Sequence, residues 1–165
     1  MIILGVDPGL AEAGYAVVEK EGNSFSALHY DVITTSSELT DVERLGLLYD
    51  DIVEVISGYQ PEHMAVEKLF FNKNVKTAIR VGQARGVLML AGSRADLSVH
   101  EYTPLEVKQA VVGYGRASKH QVQEMTTTLL NLNSVPASDD AADALAVSIC
   151  HGHNYAVNDK WSEQL

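Results

Sequence analysis

A chain of 165 residues, 46% of them apolar and 21% charged, has the composition of one globular domain, which excludes a disordered or collagen-like polymer. Its single cysteine, Cys150, excludes an internal disulfide framework and fits a reducing compartment such as the cytoplasm. The longest apolar runs, such as 87–91, fall far short of the roughly 18 residues of a membrane span, and no basic stretch precedes the apolar start, so neither membrane insertion nor secretion is expected.

Asp, Glu, Lys and Arg give a formal net charge of −10, but unevenly: residues 68–120 carry nine basic and three acidic side chains, and the remainder three basic and nineteen acidic. A chain polarised in this way can present a basic face to a polyanion while an acidic back keeps it soluble. In chain order, the apolar run Ile2 to Val6, stopped by Asp7-Pro8-Gly9, predicts a central strand buried on both faces. Gly14 to Val18 and Ser24 to Thr34 flank the turn signal Glu21-Gly22-Asn23 and complete a three-strand meander. Thr40 and Glu43 form a capping box ahead of the apolar face Leu45, Leu48, Ile52 and Val55, a helix expected to end near Gly58.

An alternating strand, His63 to Glu67, follows Pro61; a polar loop then leads to a long helix from about Val75 to Arg94, and Val99 to Tyr102 reads as a further strand. Thr103-Pro104-Leu105-Glu106 and Ser118 to Gln121 supply caps for two short helices, the second reaching about Asn131. The last helix opens at Pro136-Ala137-Ser138-Asp139, is Ala-rich through Ala146 and is expected to fade around Gly152. The order βββαβαβααα implies an α/β fold with a five-stranded mixed sheet and helices on both faces.

Chemistry concentrates in carboxylates at the ends of buried elements, because a buried acid persists mainly where a cation or hydrogen-bond donors neutralise it. Asp7 ends the first strand, Glu67 ends the strand beginning at His63, and Asp140 and Asp143 share a face of the Ala-rich helix at i, i+3 spacing. Singly, Asp7, Glu67 and Asp140 have ordinary explanations as a turn residue, a surface acid beside Lys68 and a partner for the helix dipole, whereas Asp143, flanked by apolar or small residues well inside the helix, is hardest to dismiss. Jointly, four oxygen donors suit hard cations such as Mg²⁺, and two such ions about 4 Å apart suit phosphodiester hydrolysis. Asp139 offers Asp143 an alternative i, i+4 partner, although beside Ser138 it reads better as a cap or dipole partner.

Three other features are ambiguous. Cys150, His151 and His153 crowd three possible ligands into four residues without the separated pairs usual in metal sites, and are read as structural. The stripe Ala78, Gly82, Gly86 suits either close approach of a second helix or packing on the chain's own sheet. Phe70 and Phe71 enter a polar loop where no core demands them, and exposed aromatics can stack on unpaired bases.

The segments ILGVDPG at 3–9, AVEKLFFNKN at 65–74, GQARGV at 82–87, VKQAVVGYGRASKHQV at 107–122 and DAADALA at 140–146, in this order, closely resemble the RuvC family of Holliday junction resolvases. The resemblance implies an RNase H-like fold in a single nuclease domain, 1–155, with a short tail at 156–165. It also implies a homodimer that makes paired symmetric nicks in four-way junction DNA, leaving 5′-phosphate and 3′-hydroxyl ends, during recombination and repair alongside the branch-migration complex RuvA–RuvB. Asp7, Glu67, Asp140 and Asp143 match the family's catalytic carboxylates, holding Mg²⁺, two ions per site with Mn²⁺ as a possible substitute. Lys108 and Lys119 match its basic residues beside the site, and Phe70 its aromatic residue beside the crossover. Phe70, Lys73, Lys76, Arg80, Arg85, Lys108, Arg116 and Lys119 are then expected to face DNA. The alternatives are an RNase H-like nuclease acting on RNA, a non-catalytic junction-binding module, which four acids repelling phosphate disfavour, and an actin-like ATPase, for whose second domain 165 residues leave little room.

Overall fold

The computed structural model describes residues 1–68 and 75–162. The elements follow in the expected order: β1 (Ile2–Asp7), β2 (Glu12–Glu21), β3 (Ser24–Thr34), α1 (Asp41–Tyr59), β4 (His63–Glu67), α2 (Val75–Arg94), β5 (Ser98–Tyr102), α3 (Pro104–Val112), α4 (Lys119–Leu129) and α5 (Asp139–Ser162). They build a five-stranded sheet ordered β3-β2-β1-β4-β5. The first three strands form the antiparallel meander, while β4 and β5 run parallel to β1.

The two-residue period of a strand sends alternate side chains to opposite faces, and β1 shows why its sequence is apolar throughout. Leu4 and Val6 join Leu48 and Ile52 of α1 and Ala84 and Leu88 of α2 in one core. Ile3 joins Leu145 and Ile149 of α5, together with Val107 of α3 and Val122 of α4, in the other. Burying a side chain such as Leu or Ile contributes about 1.5–3 kcal/mol, so both layers hold the sheet. No helix among the described residues is long and apolar enough to cross a membrane.

Glycines determine how closely α5 lies on the sheet. A Cβ at Gly14 would collide with the carbonyl oxygen of Asp140, and one at Gly5 with that of Ala144, so a side chain at either position would push the helix away. Buried Ala141, Ala144 and Leu145 complete the contact. The first turns of α5 are thereby seated over the carboxyl ends of the central strands.

Capping boxes start α1 (Thr40 with Glu43), α3 (Thr103 with Glu106) and α4 (Ser118 with Gln121), as their sequences predict; such caps contribute about 1 kcal/mol each. Two helix ends differ from expectation. Helix α1 continues through Gly58 to Tyr59, and Gln60 takes the left-handed turn at φ 49° just before Pro61, which has no N–H to extend the ladder. Helix α5 does not fade at Gly152 but runs on to Ser162. Gly152 lies inside it because a Cβ there would strike the ring of Phe25 from β3.

Candidate active site

Strands β1 and β4 are adjacent and parallel, with Val6 opposite Val66, so Asp7 and Glu67 emerge side by side at their carboxyl ends. In open α/β sheets this is where ligands bind. Both residues are in phase with Ile3 and Ala65, whose side chains face α5. From above, the i, i+3 pair Asp140 and Asp143 descends on the close-packed start of α5. The structure thus brings together all four carboxylates singled out in the sequence, each of them half-buried.

Two further helices close the site. Val107 and Val111 anchor α3 in the core and direct Lys108 toward Glu67, while Val122 anchors α4 and leaves Lys119 in its first turn. The Lys119 ammonium donates to Asp143 Oδ2 at 3.1 Å and pairs with Asp139 Oδ2, also at 3.1 Å. Glu67, Lys108, Lys119 and Asp143 line a cleft of about 200 Å³ floored by Val107, Val122 and Ala146. A larger hollow of about 480 Å³ lies on the opposite side of the sheet against α1, but its acids, Asp51 and Glu54, are exposed with no buried carboxylate facing them.

The electrostatics show a site short of positive charge. Burial first, then repulsion from Glu67, Asp143 and Asp140, pushes Asp7 up to about 8, with Lys119 opposing. Burial and Asp143 push Glu67 up to about 6 against Lys119 and Lys108. Burial also holds Asp143 above its ordinary value, despite its hydrogen bond to Lys119. Burial pulls the Lys119 ammonium down, but its bonds to Asp143 and Asp139 outweigh this and leave it above its usual value. Lys119 is therefore a fixed positive charge near neutrality.

Asp139 occupies the first turn of α5, where it complements the dipole, but it is not the cap. That role falls to Ser138, whose Oγ accepts from the Ala141 N–H. Asp139 joins α4 to α5 by accepting from Gln123 Nε2 at 2.8 Å and sharing Lys119 with Asp143, and the hydrogen bond from Lys119 holds its carboxyl below the ordinary value. Sequence spacing carried no signal for this link, because its partners lie on another helix.

Among the residues expected to face DNA, Lys76 and Arg116 are exposed, and neither they nor Lys108 has an ion-pair partner among the described residues. Arg80 is ion paired with Asp41 at 2.8 Å and Arg85 with Glu101, so part of their charge is committed within the chain. Phe70 and Lys73, with Phe71, lie outside the described residues. The stripe on α2 does not pack on its own sheet: Gly82 and Gly86 face open space beside exposed Ile79 and Leu90, while Ala84 and Leu88 take the buried side. Of the group Cys150, His151 and His153, the first two are buried and the third is exposed, its ring edge-on to Phe25.

A mixed five-stranded sheet with carboxylates converging from β1, β4 and α5 defines an RNase H-like nuclease. A family profile described as crossover junction endodeoxyribonuclease RuvC matches residues 3–151. The chain belongs to that family. It is 63% identical over 161 residues to crossover junction endodeoxyribonuclease RuvC of Halothermothrix orenii, covering 98% of each chain. Among solved structures, Thermus thermophilus RuvC superposes with a TM-score of 0.90 at 35% identity, over 96% of this chain and 97% of that one. The Thermus thermophilus protein in complex with Holliday junction substrate gives 0.88 at 33% identity, over 95% and 96%.

Proposed function

We propose that the chain hydrolyses phosphodiesters of four-way DNA junctions, as a homodimer making paired symmetric nicks, with Asp7, Glu67, Asp140 and Asp143 as the catalytic carboxylates. The observation that carries this reading is the convergence of those acids from three elements, close enough for Glu67, Asp143 and Asp140 to act on Asp7, beside a cleft that Glu67 and Asp143 line together with Lys108 and Lys119. The solved complex of the Thermus relative with its junction substrate supports the choice of DNA.

The donor set fits divalent magnesium: the four side chains offer only hard oxygen atoms, and burial together with their mutual repulsion lifts Asp7 to about 8, which a cation would relieve. When bound, such ions, two per site with Mn²⁺ as a substitute, supply Lewis-acid activation of water and stabilise charge at phosphorus. The chain's own residues do the rest. Lys119, held in place by Asp139 and Asp143, fixes a positive charge for the phosphate in the transition state, and its raised value keeps it protonated near neutrality. Lys108 adds a second charge in the same cleft. Water oxygen bonds to phosphorus as the bond to the 3′ oxygen breaks, leaving a 5′-phosphate and, after protonation, a 3′-hydroxyl.

The solvent-facing α2 stripe supports the dimer, since glycines at 82 and 86 between Ile79 and Leu90 let a second helix approach closely. A closed two-fold pair presents two sites to two like strands of a junction. The test is incubation of the protein with labelled four-way junction, linear duplex and RNA–DNA hybrid, with and without Mg²⁺. Paired nicks in the junction alone, and only with metal, are expected; preferential cutting of the hybrid would instead establish the RNA-directed alternative.

A further inference from the structure

The α5 face of the sheet carries a second polar cluster at its far end. His63 opens β4, His100 lies in β5 opposite Ala65, and His151 of α5 packs over both. The remaining histidines of the chain, 29, 120 and 153, are elsewhere. One ring nitrogen from each of the three lies within 4.8 Å of the others. We propose that His63, His100 and His151 form a metal site of the three-imidazole class, taking Zn²⁺ or a chemically similar transition-metal ion, separate from the carboxylate site.

Four observations carry this. First, His151 is fully buried and His63 only 9% exposed, yet His151 Nε2 and His63 Nδ1 have no hydrogen-bond partner. Leaving such a group buried and unpaired is unfavourable, and two of the four buried unpaired side-chain polar atoms among the described residues are in this one cluster.

Second, the other nitrogens of two rings are already engaged. His151 Nδ1 is 2.8 Å from Tyr102 Oη, and His100 Nε2 is 2.9 Å from Ser98 Oγ. The tautomer in which Nδ1–H donates to Tyr102 puts the lone pair of His151 on Nε2, the unpaired atom. Outer hydrogen bonds of this type orient metal-binding histidines.

Third, burial, and for His63 and His151 the neighbouring rings, lower the histidines from their ordinary values, His151 to about 3, so all three are neutral at physiological pH. Neutral imidazole is the form that coordinates a metal.

Fourth, the ring of Tyr155 stands 4.5 Å from that of His63, centroid to centroid, limiting water's access. Zinc bound at about 2.1 Å to three nitrogens separates them by about 3.4 Å, so small side-chain rotations close the set. Imidazole selects Zn²⁺, Cu²⁺ or Ni²⁺ over Mg²⁺, which distinguishes this end of the interface from the oxygen-donor end. Its ligands come from β4, β5 and α5, so an ion here would clip the later turns of α5 to the sheet edge.

The test uses tag-free, chelator-treated protein in excess Mg²⁺, which occupies the carboxylate site, titrated with Zn²⁺ by calorimetry and with Co²⁺ by visible absorption. Expected are one ion per chain, Co²⁺ bands of a low-coordinate nitrogen-ligated centre and a raised melting temperature with Zn²⁺. Asp143→Asn should retain that binding, while His100→Gln and His151→Gln should weaken it at least tenfold and His100→Gln should still cleave junction DNA. X-ray absorption of the zinc-loaded wild type should count three imidazoles, a readout that requires no variant to fold. The proposal is overturned by absent stoichiometric binding, by an oxygen-only shell, by binding that persists in folded His100→Gln, or by binding lost in Asp143→Asn.

Discussion

The interface between α5 and the sheet has ionisable groups at both ends, and burial acts on them in opposite directions. Beneath the start of α5, Asp7 is pushed up to about 8 and Glu67 to about 6; eight residues past Asp143 along the helix, His151 is pushed down to about 3. In each case desolvation is the largest cause and like groups add to it, so both ends are driven toward neutrality. What differs is compensation. The carboxylate end is an open cleft with Lys108 and Lys119 at its wall, whereas the histidine end is packed beneath Tyr155 and its shifts are dominated by burial and neighbouring rings. An open site with unmet negative charge is suited to exchange ions and accept a phosphate; a covered site of neutral donors is suited to retain an ion or remain dry.

The sharpest way to break this comparison is at the carboxylates. Asp7→Asn and Asp143→Asn should each lower junction cleavage about a thousandfold or more, because several kcal/mol of transition-state stabilisation are lost at tenfold per about 1.4 kcal/mol. Junction binding, followed by mobility shift, should survive, since removing negative charge does not weaken attraction to phosphate. A variant that cleaves normally would remove that acid from the site.

Lys108→Ala and Lys119→Ala are expected to cost about a hundredfold in cleavage, comparable to loss of one transition-state donor, with a smaller loss of affinity. The slope of log affinity against log salt should become shallower by about 0.9 for each phosphate contact removed. An unchanged slope together with unchanged cleavage would place the lysine away from DNA.

Metal and pH test the same end without mutation. Asp7 titrates near 3.8 when unfolded and about 8 when folded, so the folded chain binds the extra proton between those values. In chelated protein its contribution to stability is therefore fully present below about pH 4 and is lost as pH rises through about 8. Mg²⁺ bound at Asp7 would replace that proton, so it should raise the melting temperature more at pH 8.5 than at pH 5.5. Equal stabilisation at both pH values would mean the ion does not bind at Asp7.

Smaller effects are expected away from the reacting groups. Gly82→Gln meets open space within its own chain and gains up to about 1 kcal/mol of helix propensity, yet it should yield monomers that nick junctions without coordinating the two cuts. A dimer by sedimentation would exclude this stripe from the interface. Smallest of all is Asp139→Asn, which should retain most activity and leave the melting temperature nearly unchanged, because the exposed carboxyl shares a lysine that Asp143 also holds. An inactive Asp139→Asn would show that positioning Lys119 requires both acids.

The sequence by itself determined the order of strands and helices and the starts of α1, α3 and α4. The capping boxes at Thr40, Thr103 and Ser118 and the proline at 104 act within a few residues of where they stand, whereas the alternation expected of β4 is not realised, because helices on both faces bury His63 to Val66 throughout. The four carboxylates were legible for a different reason: they end or open such local elements, inside segments that resemble a known family. Tertiary structure alone decided the rest. Gly152 reads as a helix end until Phe25 arrives from β3 to fill the space its missing Cβ leaves, and Asp139 reads as a cap until Lys119 and Gln123 arrive from α4. The α2 stripe faces outward because Ala84 and Leu88 occupy the inward side. His63 and His100 carry no ligand spacing with His151, and only parallel pairing of β4 with β5 beneath α5 brings them together. Local rules act over one or two turns of chain, whereas each of these contacts depends on how separate elements pack, which no short spacing encodes.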